Sequence, residues 1–391
     1  MKRTIVKLTY IAMLVGGTTN VAVAQDPTNI INVVTSAVPF LRISPDARSG
    51  GMGDVGIATA PDANSSFWNI GKAVFATNQG SIGGTYTPWL KDLGLNDVNL
   101  ITLGGYYKLD DVQAITGSLR YFSLGNIQFT DGLGNDLSQF KPREFAVDAG
   151  YSRKLSNKLG LGIGLKYINS NLTGGIETGG TATKPGTSVA GDIHVYHTSG
   201  KESGEGMSWG LTLSNLGSKI AYSNDAITKD FIPANLGLGA AYTKVVDEIS
   251  KVTFALDVNK LMVPTPPSAS DEQGIENYNK QGVVSSWFKS FGDAPGGFKE
   301  ELKEFQISAG AEYWYANQFA LRAGYFYEDA TKGNRKYFTL GAGLKYNMFG
   351  LNFSYLLPSG NGINRNPLSN TLRFSLLFDF DGGESTSTPV K

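Results

Sequence analysis

The stretch Lys336–Tyr346 reads KYFTLGAGLKY and alternates between two kinds of side chain. One set is apolar or aromatic, at Phe338, Leu340, Ala342, Leu344 and Tyr346. The other set is small or polar, at Thr339, Gly341, Gly343 and Lys345. Because successive side chains of a β-strand point to opposite faces, this period of two predicts a strand with one apolar face.

The same alternation recurs over most of the chain, for example in Leu161–Tyr167 and Leu372–Phe380. We predict fourteen such strands, at 80–88, 98–108, 112–123, 144–153, 159–169, 187–198, 207–214, 235–244, 250–258, 304–315, 317–327, 336–346, 349–357 and 371–380. Most have close to the length that a tilted strand needs to cross a bilayer.

The connections between these strands alternate in length. Short links at 109–111, 154–158, 199–206, 245–249, 316 and 347–348 alternate with mostly longer ones at 124–143, 170–186, 215–234, 259–303 and 358–370. Outer-membrane barrels have an even number of strands, short periplasmic turns and long extracellular loops. The sequence therefore predicts an all-β fold, a transmembrane antiparallel β-barrel of about 14 strands with both ends in the periplasm.

A soluble β-sandwich or barrel would show the same alternation, with its apolar face pointing inward. The long strands and their up-and-down hairpins favour the membrane barrel instead. The face opposite the apolar one holds glycines and charged residues such as Lys166, Glu312 and Arg373, as a polar lumen would. An arginine at Leu340 is then expected to cost about 2–4 kcal/mol. An arginine at Gly341 is expected to cost less if that face meets a wet lumen.

The two ends of the chain and its composition add further limits. Lys2, Arg3 and Lys7, the apolar run 8–15 and the Ala22–Ala24 site predict a signal peptide at 1–24. The chain has no cysteine, which excludes thiol chemistry, and its formal net charge is zero, which does not favour nucleic acid. We expect no cofactor, and we find no metal-ligand pattern, since His194 and His197 fall on opposite faces of a strand.

Residues 25–79 precede the first strand and contain RSGGMGDVGIA, Arg48–Ala58, which fits the dinucleotide fingerprint G-x-G-x-x-G. Prolines at 39, 45 and 61 break the strand and helix that such a site needs, and no acid follows about 20 residues later. The glycines are better explained by tight backbone folding inside a crowded lumen. We therefore predict a plug at 25–79, with a short helix capped by Asp62. Its motif residues are Gly50, Gly51, Met52, Gly53, Asp54, Gly56, Trp68 and Asn69.

Two patterns could indicate an enzyme. Gly206–Gly210 fits G-x-S-x-G, but a strand rather than a helix follows it, and both histidines precede its serine. His197 and Ser199 share the apolar face of one strand, which faintly resembles outer-membrane acyl hydrolases, but no acid clearly orients the histidine. The simpler interpretation is two polar residues at a turn, and we assign no catalytic residue.

The link 259–303 is the most informative segment outside the strands. Apolar residues recur at helical spacing over Val283–Phe291 and predict a short amphipathic helix. Its apolar side would either pack on the barrel rim or contact a partner, and exposed aromatic residues are effective anchors in interfaces. The candidate contact residues are Trp287, Phe288 and Phe291.

Two stretches carry a resemblance to a known family. VPFLRISPDARSGGMGDVGIATAPDANSSFWN, Val38–Asn69, resembles the N-terminal signature of the PorV (LptO) family, and SFGDAPGGFKEELKE, Ser290–Glu304, resembles that family's long loop. The family's outer-membrane barrels are FadL-like, carry an N-terminal plug, and belong to the type IX secretion system of Bacteroidetes. Where the superfamily often has Trp-Asn-Pro-Ala, this chain has Trp68-Asn69-Ile70-Gly71.

The resemblance implies a carrier in the outer membrane rather than an enzyme. Such a carrier collects cargo with a C-terminal signal domain from the SprA/Sov-type translocon. It delivers that cargo to a surface complex of the PorU sortase with PorZ and PorQ. Lipid and lipopolysaccharide of the outer membrane would surround the barrel at 80–380, which a short tail at 381–391 follows. The alternatives are a FadL-type channel for hydrophobic molecules and, third, the acyl hydrolase.

Overall fold

The computed structural model describes residues 32–130, 133–175, 183–201, 204–223, 229–267, 270–357 and 368–381. Fourteen antiparallel strands close into one barrel, in which the first strand pairs with both the second and the last. The barrel strands are β1 Gly80–Pro88, β2 Val98–Lys108, β3 Gln113–Leu124, β6 Arg143–Lys154, β7 Leu159–Asn171, β8 Gly186–Thr198, β9 Gly206–Gly217, β10 Asn235–Val245, β11 Ser250–Leu261, β12 Gln306–Tyr315, β13 Phe319–Tyr327, β14 Lys336–Tyr346, β15 Phe349–Leu356 and β16 Leu372–Phe380.

The predicted fold is confirmed. Each of the fourteen predicted strands has one counterpart in the barrel, and their ends agree within about three residues. One hairpin was not predicted: β4 Ile127–Thr130 pairs with β5 Asp136–Phe140 in the connection between β3 and β6. The predicted signal peptide at 1–24 lies outside the described residues, as does most of the predicted tail.

The two faces of the wall differ as the alternation predicts. In β14, Phe338 is 60% exposed and Leu340 is 49% exposed on the outside, while Thr339 between them is buried. Inward-pointing charged residues such as Glu312 and Arg373 are buried as well. The apolar outer face suits contact with lipid, and the polar inner face contacts protein instead of open water.

Residues 32–79 run inside the barrel as short helical turns. Two four-residue helices, α1 Ala47–Gly50 and α2 Ser65–Trp68, lie between 3₁₀ turns at Pro39–Arg42 and Ile70–Phe75. The predicted capping of α2 is wrong: the helix begins after Asn64, and the Asp62 carboxylate accepts from the Asn64 N–H instead. We call residues 32–79 the plug.

The connection between β11 and β12 carries most of the remaining helix. It contains α3 Glu272–Lys280, α4 Val283–Lys289 and α5 Phe298–Glu301, followed by a 3₁₀ turn at Leu302–Glu304. We call residues 262–305 the cap loop. None of the helices in the described part of the chain is long and apolar enough to cross a membrane.

Candidate functional site

The glycines of the plug motif lie where the plug backbone meets the barrel wall. A Cβ on Gly51 would lie 2.9 Å from the Gly341 Cα of β14. Gly53 has a φ of +70°, and a Cβ there would lie 2.5 Å from the Tyr325 backbone nitrogen. Any side chain at either position would collide with main chain that cannot move aside, so these glycines permit close backbone contact.

This contact corrects one expectation. The inner face of β14 at Gly341 meets the plug rather than a wet lumen, since the two glycine backbones touch. Arginine at Gly341 should therefore disturb the protein more than arginine at Leu340, the reverse of the sequence-based expectation.

A buried ion-pair network joins the plug to the wall. Arg48 of the plug donates two hydrogen bonds to the Glu312 carboxylate, at 2.9 and 2.8 Å. Arg322 of β13 donates to the same carboxylate at 2.7 Å, and Arg48 also pairs with Asp62 of the plug at 2.9 Å. Bidentate arginine–carboxylate pairs are strong and directional, so this network fixes the plug's orientation.

The other motif residues are also held by specific contacts. Trp68 donates its indole N–H to Asp46 at 2.7 Å, and the Asn69 amide donates to carbonyls of Ile57 in the plug and Val195 in β8. Tyr337 of β14 donates its hydroxyl to Asp54 at 2.7 Å. Met52 is fully buried. The motif thus serves to seat the plug.

A small chamber remains between the plug and the barrel wall. Its volume is about 130 Å³. Charged and polar side chains dominate its lining, including Arg120, Asp148, Lys166, Asp192 and His194. Lys166 lies 3.4 Å from Asp148 and 3.2 Å from Asp192, so these charges largely neutralise one another. The chamber suits water better than an apolar molecule.

The cap loop exposes apolar side chains. In α4, Val284 is 60% exposed and Phe288 is 75% exposed, while Ser286 and Ser290 on the other side are fully buried. Phe298 of α5 is also 75% exposed. The helix is predicted correctly, but it ends at Lys289, before the predicted end. Ser286 and Ser290 face the protein, whereas Val284 and Phe288 face out.

The three predicted contact residues differ in their surroundings. Phe288 is the most exposed, whereas Trp287 is half-buried. Phe291 lies beyond the end of α4, with the Lys260 ammonium 5.4 Å from its ring centre. Val284 and Phe298 join Phe288 as the apolar side chains most open to a partner, and we call these three the display residues.

A second buried ion-pair network holds the cap loop to the rim. Lys260 at the end of β11 pairs with Glu301 at 2.7 Å and Glu304 at 2.6 Å. Lys332, in the connection from β13 to β14, pairs with Glu300 at 2.7 Å and Glu304 at 3.0 Å. Burial lowers the pKa of Lys332. Its hydrogen bonds to Glu300 and Glu304, together with the negative charges of these two residues, outweigh burial and raise the pKa. We call these five residues the loop clamp.

The loop clamp was not found by sequence analysis. Its glutamates lie in the long-loop signature Ser290–Glu304, which was recognised only as a family resemblance. Its lysines are far away along the chain, and nothing in their local sequence marks them as buried. Arg48 and Glu312, which join the plug to the wall, were likewise not paired from sequence.

His197 and Ser199 do not form a catalytic pair. The Ser199 hydroxyl donates to the Met207 carbonyl at 2.8 Å and accepts from the Met207 N–H at 3.1 Å. The His197 ring stacks on Trp209 at 5.3 Å, and its Nδ1 has no hydrogen-bond partner among the described residues. The serine is thus engaged by backbone rather than activated by the histidine. Gly206–Gly210 lies in β9, as predicted.

These features define the class of protein. A closed fourteen-strand barrel with an apolar outer face and a filled interior is an outer-membrane β-barrel protein. A family model described as "Type IX secretion system protein PorV" matches residues 25–268 of the chain. The chain therefore belongs to the PorV family, a family of the type IX secretion system.

Several solved structures are similar to this chain. The CymD monoaromatic hydrocarbon channel matches at a TM-score of 0.50 and 11% identity, over 87% of this chain and 98% of that one. The toluene transporter TodX of P. putida matches at 0.46 and 13% identity, over 86% and 99%. A Pseudomonas aeruginosa FadL homologue matches at 0.46 and 11% identity, over 89% and 99%. No curated protein matches. At these identities the likeness is one of fold.

Proposed function

We propose that this protein is the cargo carrier of a type IX secretion system. It takes cargo with a C-terminal signal domain from the SprA/Sov-type translocon and passes it to the surface complex of the PorU sortase with PorZ and PorQ. Membership of the PorV family supports a role in this system. The outer-membrane barrel gives a carrier its location, between the translocon and the cell surface.

The observation that carries the proposal is the exposure of the display residues. Contiguous exposed apolar side chains often mark an interaction site, and Val284 and Phe288 lie four residues apart on the same side of α4. Here they lie on a loop that buried ion pairs fix to a rigid barrel, so little ordering is needed when a partner binds. A fixed apolar surface fits a carrier that binds many cargo domains with moderate affinity.

The division of the chain follows the same proposal. Residues 1–24 are a signal peptide that directs export, 25–79 form the plug, 80–380 form the barrel, and 381–391 are a tail. The long connections face the cell surface and the short turns face the periplasm, by the loop-length rule of outer-membrane barrels. The cap loop is then outside the cell, where cargo arrives.

The chamber argues against the channel alternative. Small-molecule pockets usually have volumes of about 300–1,000 Å³ and mainly apolar linings. The chamber is about 130 Å³ and its lining is charged. A hydrophobic solute would have to desolvate those charges, so the plugged barrel is a poor route for it.

The contacts of His197 and Ser199 argue against the acyl hydrolase alternative. Nucleophilic catalysis requires a base within hydrogen-bond reach of the serine. Ser199 is instead bonded to the Met207 backbone. Ser199→Ala and His197→Ala should leave cargo secretion unchanged, and loss of secretion in either variant at normal protein level would revive the hydrolase.

The carrier proposal is tested by replacing the display residues together: Val284→Ser, Phe288→Ser and Phe298→Ser. Losing a central aromatic anchor often costs about 2 kcal/mol, which is roughly a thirtyfold loss of affinity. Cargo should accumulate with its C-terminal signal domain uncleaved, as measured by immunoblots of cell fractions. A heat-modifiability gel should show an intact barrel.

The matched control replaces polar residues of the same helix, with Ser285→Ala and Lys289→Ala. Both side chains are exposed, and cargo processing should stay normal. Normal processing in the triple variant would show that the display residues are not the cargo contact. A triple change of Trp287, Phe288 and Phe291 is less informative, since Trp287 is half-buried and Phe291 has the Lys260 ammonium 5.4 Å from its ring centre.

A further inference from the structure

The first described residues of the plug lie among the long connections. The Asn32 N–H donates to the Thr331 carbonyl at 3.2 Å, in the connection between β13 and β14. The Ala37 N–H donates to the Phe231 carbonyl at 2.9 Å, in the connection between β9 and β10. Both connections lie at the same end of the barrel, because β9 and β13 are four strands apart in an antiparallel barrel and therefore run in the same direction.

An apolar cluster fixes this segment to the cap loop. Val34 and Tyr278 both pack against a buried cluster formed by Phe231, Leu261 and Val263. Tyr278 belongs to α3 of the cap loop, and its ring meets the Phe231 ring edge-on at 5.4 Å. Residues 32–37 therefore join two loops and are part of the structure that closes the long-loop end.

The last residues of the plug lie at the opposite end. The Phe75 ring lies 5.6 Å from the Tyr196 ring near the end of β8, and the Lys154 ammonium at the end of β6 is 5.3 Å from it. The Lys108 N–H, next to the short turn after β2, donates to the Gln79 carbonyl at 2.8 Å. Between these ends, Arg120 donates to the Leu41 carbonyl at 2.7 Å. The plug therefore crosses the whole barrel.

We infer that the chain enters its own barrel from the cell-surface end, and that residues 32–37 form part of the extracellular surface on which cargo is displayed. The direction within the molecule follows from the contacts alone. The statement that this end is outside the cell rests on the orientation proposed above. A partner that docks on the cap loop then meets a surface built on Val34.

The absence of cysteine from the sequence makes this directly testable. Thr35, Lys289 and Asn157 are exposed, in the plug's first segment, the cap loop and the turn between β6 and β7. Single variants Thr35→Cys, Lys289→Cys and Asn157→Cys would be treated with a membrane-impermeant maleimide, on intact cells and after permeabilisation. We expect the first two to react on intact cells and the third only after permeabilisation.

Two outcomes separate the threading claim from the orientation claim. If Thr35→Cys reacts only under the conditions that label Asn157→Cys, the threading inference is overturned. If Lys289→Cys needs permeabilisation and Asn157→Cys does not, the orientation is inverted, and the cell-surface claim and the proposed function fail together. The threading would then still be judged by whether Thr35→Cys behaves like Lys289→Cys.

A cross-link provides a second test that does not depend on orientation. The Asn32–Thr331 hydrogen bond brings the two backbones within reach of a disulfide. The double variant Asn32→Cys, Thr331→Cys should oxidise to one internal disulfide, seen as a mobility shift of the unfolded protein that a reductant removes. Asn32→Cys with Asn157→Cys should give none. A disulfide between positions 32 and 157, with none between positions 32 and 331, would contradict the threading.

Discussion

The plug and the cap loop are both irregular segments attached to the barrel by buried ion pairs, yet they expose very different surfaces. In the plug, Arg48 pairs with Glu312 of the wall, and nearly every motif residue is buried. In the cap loop, Glu301 and Glu304 pair with Lys260, while Phe288 stays 75% exposed. Similar electrostatic attachments thus hold one segment inside the wall and another above it.

The difference is explained by what the rest of each segment contacts. The plug brings glycines to the wall, so its backbone can lie against strand backbone over its length. The cap loop instead turns Ser286 and Ser290 toward the protein and leaves Val284 and Phe288 outward. A segment that seals needs no exposed anchor, whereas a segment that binds a partner does.

The largest effect should come from placing a side chain between plug and wall. Gly341→Arg drives a guanidinium into the Gly51 backbone, so we expect no heat-modifiable barrel in the outer membrane. Leu340→Arg, one residue away on the lipid face, should cost about 2–4 kcal/mol and still fold. Heat-modifiability gels of outer-membrane fractions check both. If Gly341→Arg folds and Leu340→Arg does not, Gly341 would face the lipid and Leu340 would face the plug.

The next effect should come from removing the carboxylate that holds the plug. Glu312→Ala leaves Arg322 buried without its carboxylate and leaves Arg48 paired with Asp62 alone, and breaking a buried pair typically costs about 3–5 kcal/mol. The barrel should unfold at a lower urea concentration, measured by the same gel shift. Glu205→Ala removes a carboxylate that pairs with two exposed lysines, and it should leave the midpoint unchanged. Equal urea midpoints for the two variants would show that the ion pairs of Glu312 do not stabilise the plug.

A smaller change in stability, confined to the cap loop, should follow from Lys260→Met. The variant leaves Glu301 uncompensated, while Lys332 remains beside Glu304. We expect a cost of about 1–3 kcal/mol. Limited proteolysis should then cut the cap loop faster and cargo processing should fall, with the barrel intact. Lys280→Met, at an exposed lysine of α3, is the control. Unchanged proteolysis in the Lys260 variant would mean that the loop clamp does not hold the loop.

The smallest effect should come from acid. Burial raises the pKa of Glu300, but hydrogen bonds from Lys332 and the Gly296 N–H outweigh burial and lower it. Its contribution is therefore complete above the ordinary value of 4.5 and is lost as the pH falls through the lower, folded value. Hydrogen exchange in 298–305 should rise at acidic pH, after correction for intrinsic rates. The Glu300→Gln variant should lose this response to pH. An equal rise in exchange in the variant and the unchanged protein would mean that another group causes the response.

The strands could be predicted because one physical rule acts on every one of them. The outer face of β14 must be apolar in lipid, and Phe338 and Leu340 show that rule in the sequence alone. The inner face is less constrained, since Gly341 is compatible with either water or a packed backbone. Whether a glycine faces a lumen or a plug depends on residues almost three hundred positions away.

The candidate site could be predicted only in part for the same reason. The helical spacing of Val284 and Phe288 was readable locally, and so was the helix they lie on. Which side of that helix faces the protein depends on the loop clamp, whose lysine at 260 is 44 residues from Glu304. Ion pairs between residues so far apart leave no periodic pattern in the sequence.

The most direct test of the carrier account is photo-cross-linking in living cells from position 288. A photoreactive phenylalanine analogue would replace Phe288 of the cap loop or, as a control, Leu340 on the lipid face. We expect covalent adducts between position 288 and cargo that still carries its C-terminal signal domain. We expect no cargo adducts from position 340. Cargo adducts from position 340 but not from 288 would contradict the account, because the barrel wall rather than the cap loop would then hold the cargo.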